Sequence, residues 1–330
     1  MTTSEKTNYL LIGYGYWGPK IAKSIFKEDH SNLAVVVDSN TSALKKAKND
    51  KFSQHYFDNY KNLDLSILEN IDVIVIATKE ANYEILQDLA YLKKSFLVTK
   101  PVSKSISEFN KIINLQKKHN IEIFADYTFL FCNKVRKIKE LVSSKGFGDL
   151  QYIYSNRSNL GIIQKHQNVI WDLAPHDLSI VTFVTGKHPT KGSVFTSNPL
   201  KHIDSETTMA SVFFKYGNSF DLYLNLSWLS AEKIRYMVFS GTKQTIVYDD
   251  NVNEKNLILY NQQILNKNID FVYTKDKGEV IKFEKNEPLQ QEIKELSNYI
   301  KMKKNRPETF IENSRENIKA LENLRYIKVT

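Results

Sequence analysis

The feature that most restricts this chain is Gly13-Tyr14-Gly15-Tyr16-Trp17-Gly18, which follows the apolar run Tyr9–Ile12 and opens a helical pattern over Pro19–Phe26. A G-x-G-x-x-G turn between a strand and a helix brings backbone close to a pyrophosphate. Gly13 permits the tight turn, Gly15 lets the backbone approach a phosphate, and Gly18 allows close packing of helix on strand. The helix N-terminus adds N–H groups and partial positive charge. Asp38 ends the next β-branched run, Leu33–Val37, twenty residues after Gly18. A carboxylate there accepts hydrogen bonds from an adenosine ribose and repels a 2′-phosphate. Ser39 and Asn40 follow with no arginine, so the pattern favours NAD over NADP. A structural glycine turn beside a solvated Asp38 is the other reading.

The surrounding pattern agrees. Further apolar runs occur at Ile71–Ala77, Phe96–Val98 and Ile121–Ala125, with helical stretches at Thr41–Asp50, Tyr83–Lys93 and Ser105–His119. Uninterrupted apolar strands separated by helices predict a parallel sheet covered on both faces, a doubly wound α/β domain. Beyond a helix at Val135–Leu141 the period becomes two: Leu222, Leu224, Leu226 and Trp228 alternate with Tyr223, Asn225 and Ser227. Similar strands are expected at Ser193–Ser197, Thr207–Tyr216, Ile234–Ser240, Thr245–Tyr248 and Leu257–Tyr260. Alternation of this kind predicts a largely antiparallel sheet with one wetter face. A helix over Asp172–Thr185 interrupts the strands. Two more, with stripes Leu289, Ile293, Leu296, Ile300 and Ile318, Leu321, Leu324, Ile327, finish the chain. The expected fold class is α/β: a Rossmann domain over residues 1–126, then an α+β domain with a large, mostly antiparallel open sheet over 127–330.

Two further motifs carry chemistry. Thr99-Lys100-Pro101 lies just past the Phe96–Val98 run. Ligands of open α/β sheets sit at the carboxyl ends of strands, so Lys100 points at the cofactor–substrate crevice, where an amine is usable in proton transfer. Taken alone it reads equally as a surface lysine at a strand end. Pro101 fixes the following backbone and is a candidate for a cis peptide. In Trp171-Asp172-Leu173-Ala174-Pro175-His176-Asp177, Asp172 and His176 are four apart and share a helix face. A carboxylate beside an imidazole can orient it for acid–base work. The plainer alternative is a capping Asp172, with Pro175 in the first helical turn, and a structural His176.

Composition removes other classes. The chain has 330 residues, enough for two domains, and 42% are hydrophobic. No apolar run approaches the roughly 20 residues needed to span a bilayer. The start lacks a signal-peptide pattern, so a cytoplasmic protein is expected. The single cysteine, Cys132, leaves no Cys-pair metal site and no internal disulfide, and no metal is expected. The net charge is +9, but the lysines are scattered among acidic residues, which argues against a nucleic-acid or membrane partner.

Together these features resemble the glucose–fructose oxidoreductase, inositol dehydrogenase and rhizopine catabolism family, Gfo/Idh/MocA. Its hallmarks are a Glu-Lys-Pro motif after the fifth Rossmann strand and an Asp-x-x-x-His helix in the second domain; Thr99-Lys100-Pro101 and Asp172–His176 stand in those places. Gly15-Tyr16-Trp17-Gly18-Pro19, Ser155-Asn156-Arg157-Ser158-Asn159-Leu160-Gly161 and Glu287-Pro288-Leu289 look like a branch tied to bacterial nucleotide-sugar metabolism. Thr99 replaces the family's Glu, Lys79 and Asn82 occupy a loop that commonly holds Pro and His, and Gln164 and His166 stand where the branch often has Arg and Asp.

The resemblance implies an NAD-dependent oxidoreductase acting on a sugar hydroxyl, with C3 of a nucleotide-linked sugar such as a UDP-N-acetylhexosamine as the expected position. Alternatives are an inositol or aldose dehydrogenase on a free polyol or sugar, and a non-catalytic NAD-binding protein. It implies NAD binding by Gly13, Gly15, Tyr16, Trp17, Gly18, Asp38, Thr78, Thr99 and Lys100. Lys100 and His176 would share the proton work while Asp172 orients the site. Asn168 and Arg157 would join Lys100, Asp172 and His176 on the substrate, Arg157 towards its phosphates; a sheet-face role for Arg157 is equally open. The open sheet face is the expected surface for a homodimer or homotetramer.

Overall fold

The computed structural model describes residues 6–79, 82–161, 163, 167–200, 207–251, 257–261, 263–267, 270–274, 276–303, 305 and 307–327. In chain order the first elements are β1 (Thr7–Ile12), α1 (Gly18–Lys27), β2 (Ser31–Val37), α2 (Thr41–Asp50), β3 (His55–Phe57), α3 (Leu65–Glu69), β4 (Val73–Ile76), α4 (Asn82–Leu89), β5 (Ser95–Thr99), α5 (Ile106–His119) and β6 (Ile123–Asp126). There follow α6 (Asn133–Val142), β7 (Leu150–Leu160), α7 (Val169–Thr185), β8 (Lys191–Ser197), β9 (Met209–Lys215), β10 (Asp221–Ser227), β11 (Leu229–Gly241) and β12 (Gln244–Asp249). The last are β13 (Leu257–Asn261), β14 (Gln263–Lys267), β15 (Asp270–Thr274), β16 (Glu279–Val280), α8 (Pro288–Met302), α9 (Arg315–Glu322) and β17 (Arg325–Tyr326).

The chain forms two compact units: Met1–Cys132 with Asn286–Arg315, and Asn133–Lys285 with Glu316–Thr330. The first holds a six-stranded sheet in the order β3-β2-β1-β4-β5-β6, every neighbouring pair parallel. This is the doubly wound order, and β1 and β4 flank its switch point. Val73, Ile74, Val75 and Ile76 are all buried, as a strand covered on both faces must be.

Residues 286–315, expected with the second domain, belong to the first unit. The stripe Leu289, Ile293 and Leu296 of α8 joins one buried cluster with Tyr9, Leu11, Ile21 and Ile25. The Ser297 hydroxyl hydrogen-bonds both Tyr9 Oη (2.7 Å) and Ser31 Oγ (2.8 Å). An amphipathic helix must bury its apolar face somewhere, and here that face covers the sheet that opens the chain.

The second unit is built on a nine-stranded sheet in the order β16-β13-β12-β11-β7-β10-β9-β8-β17. β10–β7 and β17–β8 run parallel and the remaining pairs antiparallel. Leu222, Leu224 and Leu226 are buried while Tyr223 is 45% exposed, so the predicted alternation does separate a packed face from a wetter one. β14 and β15 form a separate antiparallel pair. The last stripe is helical only to Glu322: Arg325 and Tyr326 instead pair with Ser193 and Val194 of β8.

Candidate active site

In the first unit, the three glycines divide the work of the turn between β1 and α1. Gly13 has φ +101°, and a Cβ there would lie 2.7 Å from the Ala77 carbonyl oxygen. A Cβ on Gly18 would lie 2.3 Å from the Gly13 carbonyl oxygen, so close packing excludes any side chain. Gly15 faces open space with no atom within 4 Å of such a Cβ, a cradle into which a phosphate can come up against the backbone. No side chain caps α1 and its first turn holds no acidic residue, so the helix end is suited to an anion. Asp38 turns into this loop: Oδ2 accepts from Tyr14 N–H (2.5 Å) and Oδ1 from Asn40 N–H (2.7 Å). Tyr16 is exposed, with Lys20 Nζ 3.7 Å from its ring centroid. The residues present fit a dinucleotide.

Trp17 reaches the far edge of the same sheet, where its Nε1–H donates to Asp126 Oδ2 (2.5 Å) at the end of β6. The Thr128 hydroxyl donates to Asp126 Oδ1 (2.8 Å). Glu292 of α8 is 1% exposed, and its carboxyl lies against that of Asp126. Burial first, then the Asp126 charge, push the Glu292 carboxyl well above the usual carboxylate range. Burial also raises Asp126, opposed by its hydrogen bonds and by the Lys100 charge. Lys100 therefore acts electrostatically on the same group that Trp17 holds.

Lys100 follows β5 directly, and the Lys100–Pro101 bond is cis. The neighbouring Thr99 is buried, and its hydroxyl donates to the Ile76 carbonyl of β4 (3.2 Å). Asn82 Oδ1 accepts from the Thr78 hydroxyl (3.3 Å) and its Nδ2 donates to the Pro101 carbonyl (3.3 Å). The loops after β4 and β5 are thus tied together around Lys100.

In the second unit α7 begins earlier than the apolar pattern indicates. Its N-cap is Asn168, whose Oδ1 accepts from Trp171 N–H (3.1 Å). Asp172 is therefore not the cap, and Pro175 is the seventh residue of the helix and not part of its first turn. Asp172 instead accepts from Trp228 Nε1–H (3.0 Å) and Gln167 Nε2–H (3.3 Å). His176 lies one turn further along, at a cavity of about 60 Å³. Arg157 of β7 also borders this cavity. It is buried, and its Nε and Nη2 donate to the two oxygens of Asp177 at 2.6 and 3.2 Å. Ser155 donates to the same carboxylate at 2.8 Å. Burial disfavours a charged guanidinium, but the Asp177 carboxylate overrules it and holds Arg157 protonated.

The first unit thus collects Gly13, Gly15, Tyr16, Trp17, Gly18, Asp38, Thr78, Thr99 and Lys100 at the carboxyl ends of its strands, and the second collects Arg157, Asn168, Asp172 and His176 around the start of α7. Gln164 and His166 lie outside the described residues. The sequence pattern gives Asp126, Glu292, Asp177 and Trp228 no role at the site. Asp126 ends an apolar run at a carboxyl strand end, and Asp177 follows His176 directly; those were the available signals. Among the described residues no group of three or more His, Cys, Asp or Glu could hold a metal ion, and no helix is long and apolar enough to cross a membrane.

A glycine turn at the switch point of a six-stranded parallel sheet defines the dinucleotide-binding class of α/β domains, and comparison with known proteins narrows it. Residues 7–127 match the family described as an oxidoreductase family with an NAD-binding Rossmann fold, and residues 135–247 match the GFO/IDH/MocA C-terminal domain. The chain belongs to the Gfo/Idh/MocA family and is an NAD-dependent oxidoreductase. It is 24% identical over 260 residues to an uncharacterized oxidoreductase of Streptococcus pneumoniae, covering 73% of this chain and 68% of that one. It is 23% identical over 265 residues to myo-inositol 2-dehydrogenase of Thermotoga maritima, covering 77% and 78%. The structure of UDP-N-acetylglucosamine 3-dehydrogenase from Acidithiobacillus ferrooxidans superposes with a TM-score of 0.80 at 18% identity, covering 97% of this chain and 96% of that one.

Proposed function

We propose that the protein oxidises a secondary hydroxyl of a sugar to a ketone, with C3 of a UDP-linked N-acetylhexosamine as the leading substrate. The observation that carries this reading is Lys100 at the carboxyl end of β5, in a loop tied by Asn82 to the one after Ala77, which itself packs on the glycine turn. NAD, when bound, supplies the acceptor for the hydride leaving the carbinol carbon. Lys100 and His176 take the proton from the same hydroxyl, so one hydride and one proton leave together. Asp172, held by Trp228 and Gln167, fixes the helix face that presents His176. Asp38 engages the adenosine ribose and selects NAD over NADP.

The fold shared with the UDP-sugar 3-dehydrogenase supports the nucleotide-linked substrate. The similarity to myo-inositol 2-dehydrogenase favours a second reading, a free polyol or sugar. The wetter face of the nine-stranded sheet, with Tyr152, Phe195, Met209 and Tyr223 each at least 40% exposed, is the surface proposed for a homodimer or homotetramer in the cytoplasm.

The test is formation of reduced nicotinamide with NAD or NADP against UDP-sugars, inositols and aldoses. Turnover of a UDP-N-acetylhexosamine with NAD is expected. In Lys100→Met it should fall roughly 10²–10⁴-fold, the range for losing a general acid or base, with NAD affinity largely kept. NAD binding with no turnover of any sugar, unchanged by Lys100→Met, would leave only a nucleotide-binding protein.

A further inference from the structure

We propose that Asp126 and Glu292 are positioning residues for the dinucleotide: the pair anchors the Trp17 indole and, through it, the start of α1 at the glycine turn. The inference rests on NAD binding at that turn and is independent of which sugar is oxidised.

Trp17 begins α1 without capping it. It is the N-cap residue, and its carbonyl accepts from Lys20 N–H (3.0 Å) and Ile21 N–H (3.2 Å). An indole carries a donor and no acceptor, so it does not compete with an anion for the first N–H groups of the helix. The side chain is tied down elsewhere. The ring is partly buried against the cluster that holds Ile21 and Ile25 of α1, Phe124 of β6 and Ile293 of α8, and Nε1–H donates to Asp126 Oδ2. A hydrogen bond to a carboxylate is about twice as strong as one between neutral groups. It fixes the far end of a residue whose near end is fixed by the packing of Gly18 on Gly13.

Asp126 is held in turn. The Thr128 hydroxyl donates to Oδ1, the Lys100 charge favours the anion, and the Glu292 carboxyl faces it from α8. Around Glu292 stand Asp126, the Tyr127 backbone and Glu295 three residues along the same helix. Two carboxyls buried side by side resist ionising together, and burial keeps the proton on Glu292. Asp126 then carries the negative charge that meets the indole. A buried acid pair is less favourable to folding than apolar side chains of the same volume; what this one supplies is a fixed anion at the end of β6 for Trp17 to grip.

The experiment is titration calorimetry of NAD on the full chain, with the melting temperature of each variant measured alongside. Trp17→Phe keeps a ring and loses the N–H; Asp126→Asn removes the charge it meets. Each should weaken NAD roughly tenfold, the effect of one lost charged hydrogen bond. The double variant should be no weaker than either single one, because both remove the same bond. Glu292→Met, which takes away the shared proton, should weaken NAD as well, whereas Glu292→Gln, neutral and still a donor, should bind like wild type near neutral pH. Wild-type affinity should fall as rising pH ionises Glu292, and Glu292→Gln should escape that fall. Trp17→Phe leaves both buried carboxyls in place, so it reads the bond even if a carboxyl variant fails to fold. The inference is overturned if Trp17→Phe binds NAD as tightly as wild type, if the losses in Trp17→Phe and Asp126→Asn add, or if the Asp126 and Glu292 variants lower the melting temperature with NAD affinity unchanged. Any of these results leaves the proposed oxidation of a sugar hydroxyl standing.

Discussion

Asp38 steadies the glycine turn: its carboxylate accepts from Tyr14 N–H and Asn40 N–H, and the function proposed above gives the same group the adenosine ribose as a second partner. Asp38→Ala should therefore weaken NAD roughly ten- to a hundredfold, as expected for hydrogen bonds to a charged group. It should also narrow the preference over NADP; calorimetry with both nucleotides decides, and equal NAD affinity in the variant would refute the ribose role. The glycines and Asp38 were legible because their spacing is local and each answers a steric or electrostatic demand of one turn. Asp126 and Glu292 were not, because a contact between the end of a strand and a helix 166 residues later leaves no periodic trace. Arg157 could be read either way. Only the structure shows its guanidinium bonded to Asp177, a residue whose place next to His176 gave no hint of that role.

Helix α8 illustrates what an element contributes beyond its own stability. Its apolar stripe was plain in the sequence, but a stripe does not say which sheet it will cover, and Glu292 travels with it into the interior. A carboxyl with a raised folded pKa keeps its proton where the unfolded chain has released it. Its contribution is therefore intact at acid pH and is lost as pH rises from the ordinary glutamate range towards the raised value. Asp126 is raised as well and acts in the same direction. Wild-type stability should fall with pH above about 5, at up to about 1.4 kcal/mol per pH unit for each such proton. Glu292→Gln should flatten the curve and melt higher at alkaline pH; parallel melting curves at every pH would exclude this. Short elements were the least legible. β3 has three residues and β17 two, too few to show a period, and both exist because a neighbouring strand offers an edge. The start of α7 was missed for a different reason: Asn168 caps it across a junction where Val169 and Ile170 already look like strand.

At the scale of the whole molecule, the exposed row of the nine-stranded sheet is the least expected surface for a protein that acts alone. Phe213 and Tyr223 face each other across β9 and β10 with ring centroids 5.1 Å apart, and Tyr154 stands next in register on β7. Light scattering should give a dimer or tetramer, and Tyr223→Asp with Phe195→Asp should shift it towards monomer without unfolding it; a monomeric wild type would remove the proposal. The two sheets themselves were legible because the hydrophobic period changes from continuous to alternating between them. The proposed function depends on the Lys100 amine and the His176 imidazole acting on a single alcohol. A crystal structure with NAD and a UDP-N-acetylhexosamine settles it. It should show Lys100 Nζ and His176 within about 3 Å of one hydroxyl, hydrogen-bond reach, with the carbinol carbon facing the nicotinamide. Either head group turned to bulk solvent away from that ring would contradict the oxidation of a sugar hydroxyl proposed for this protein.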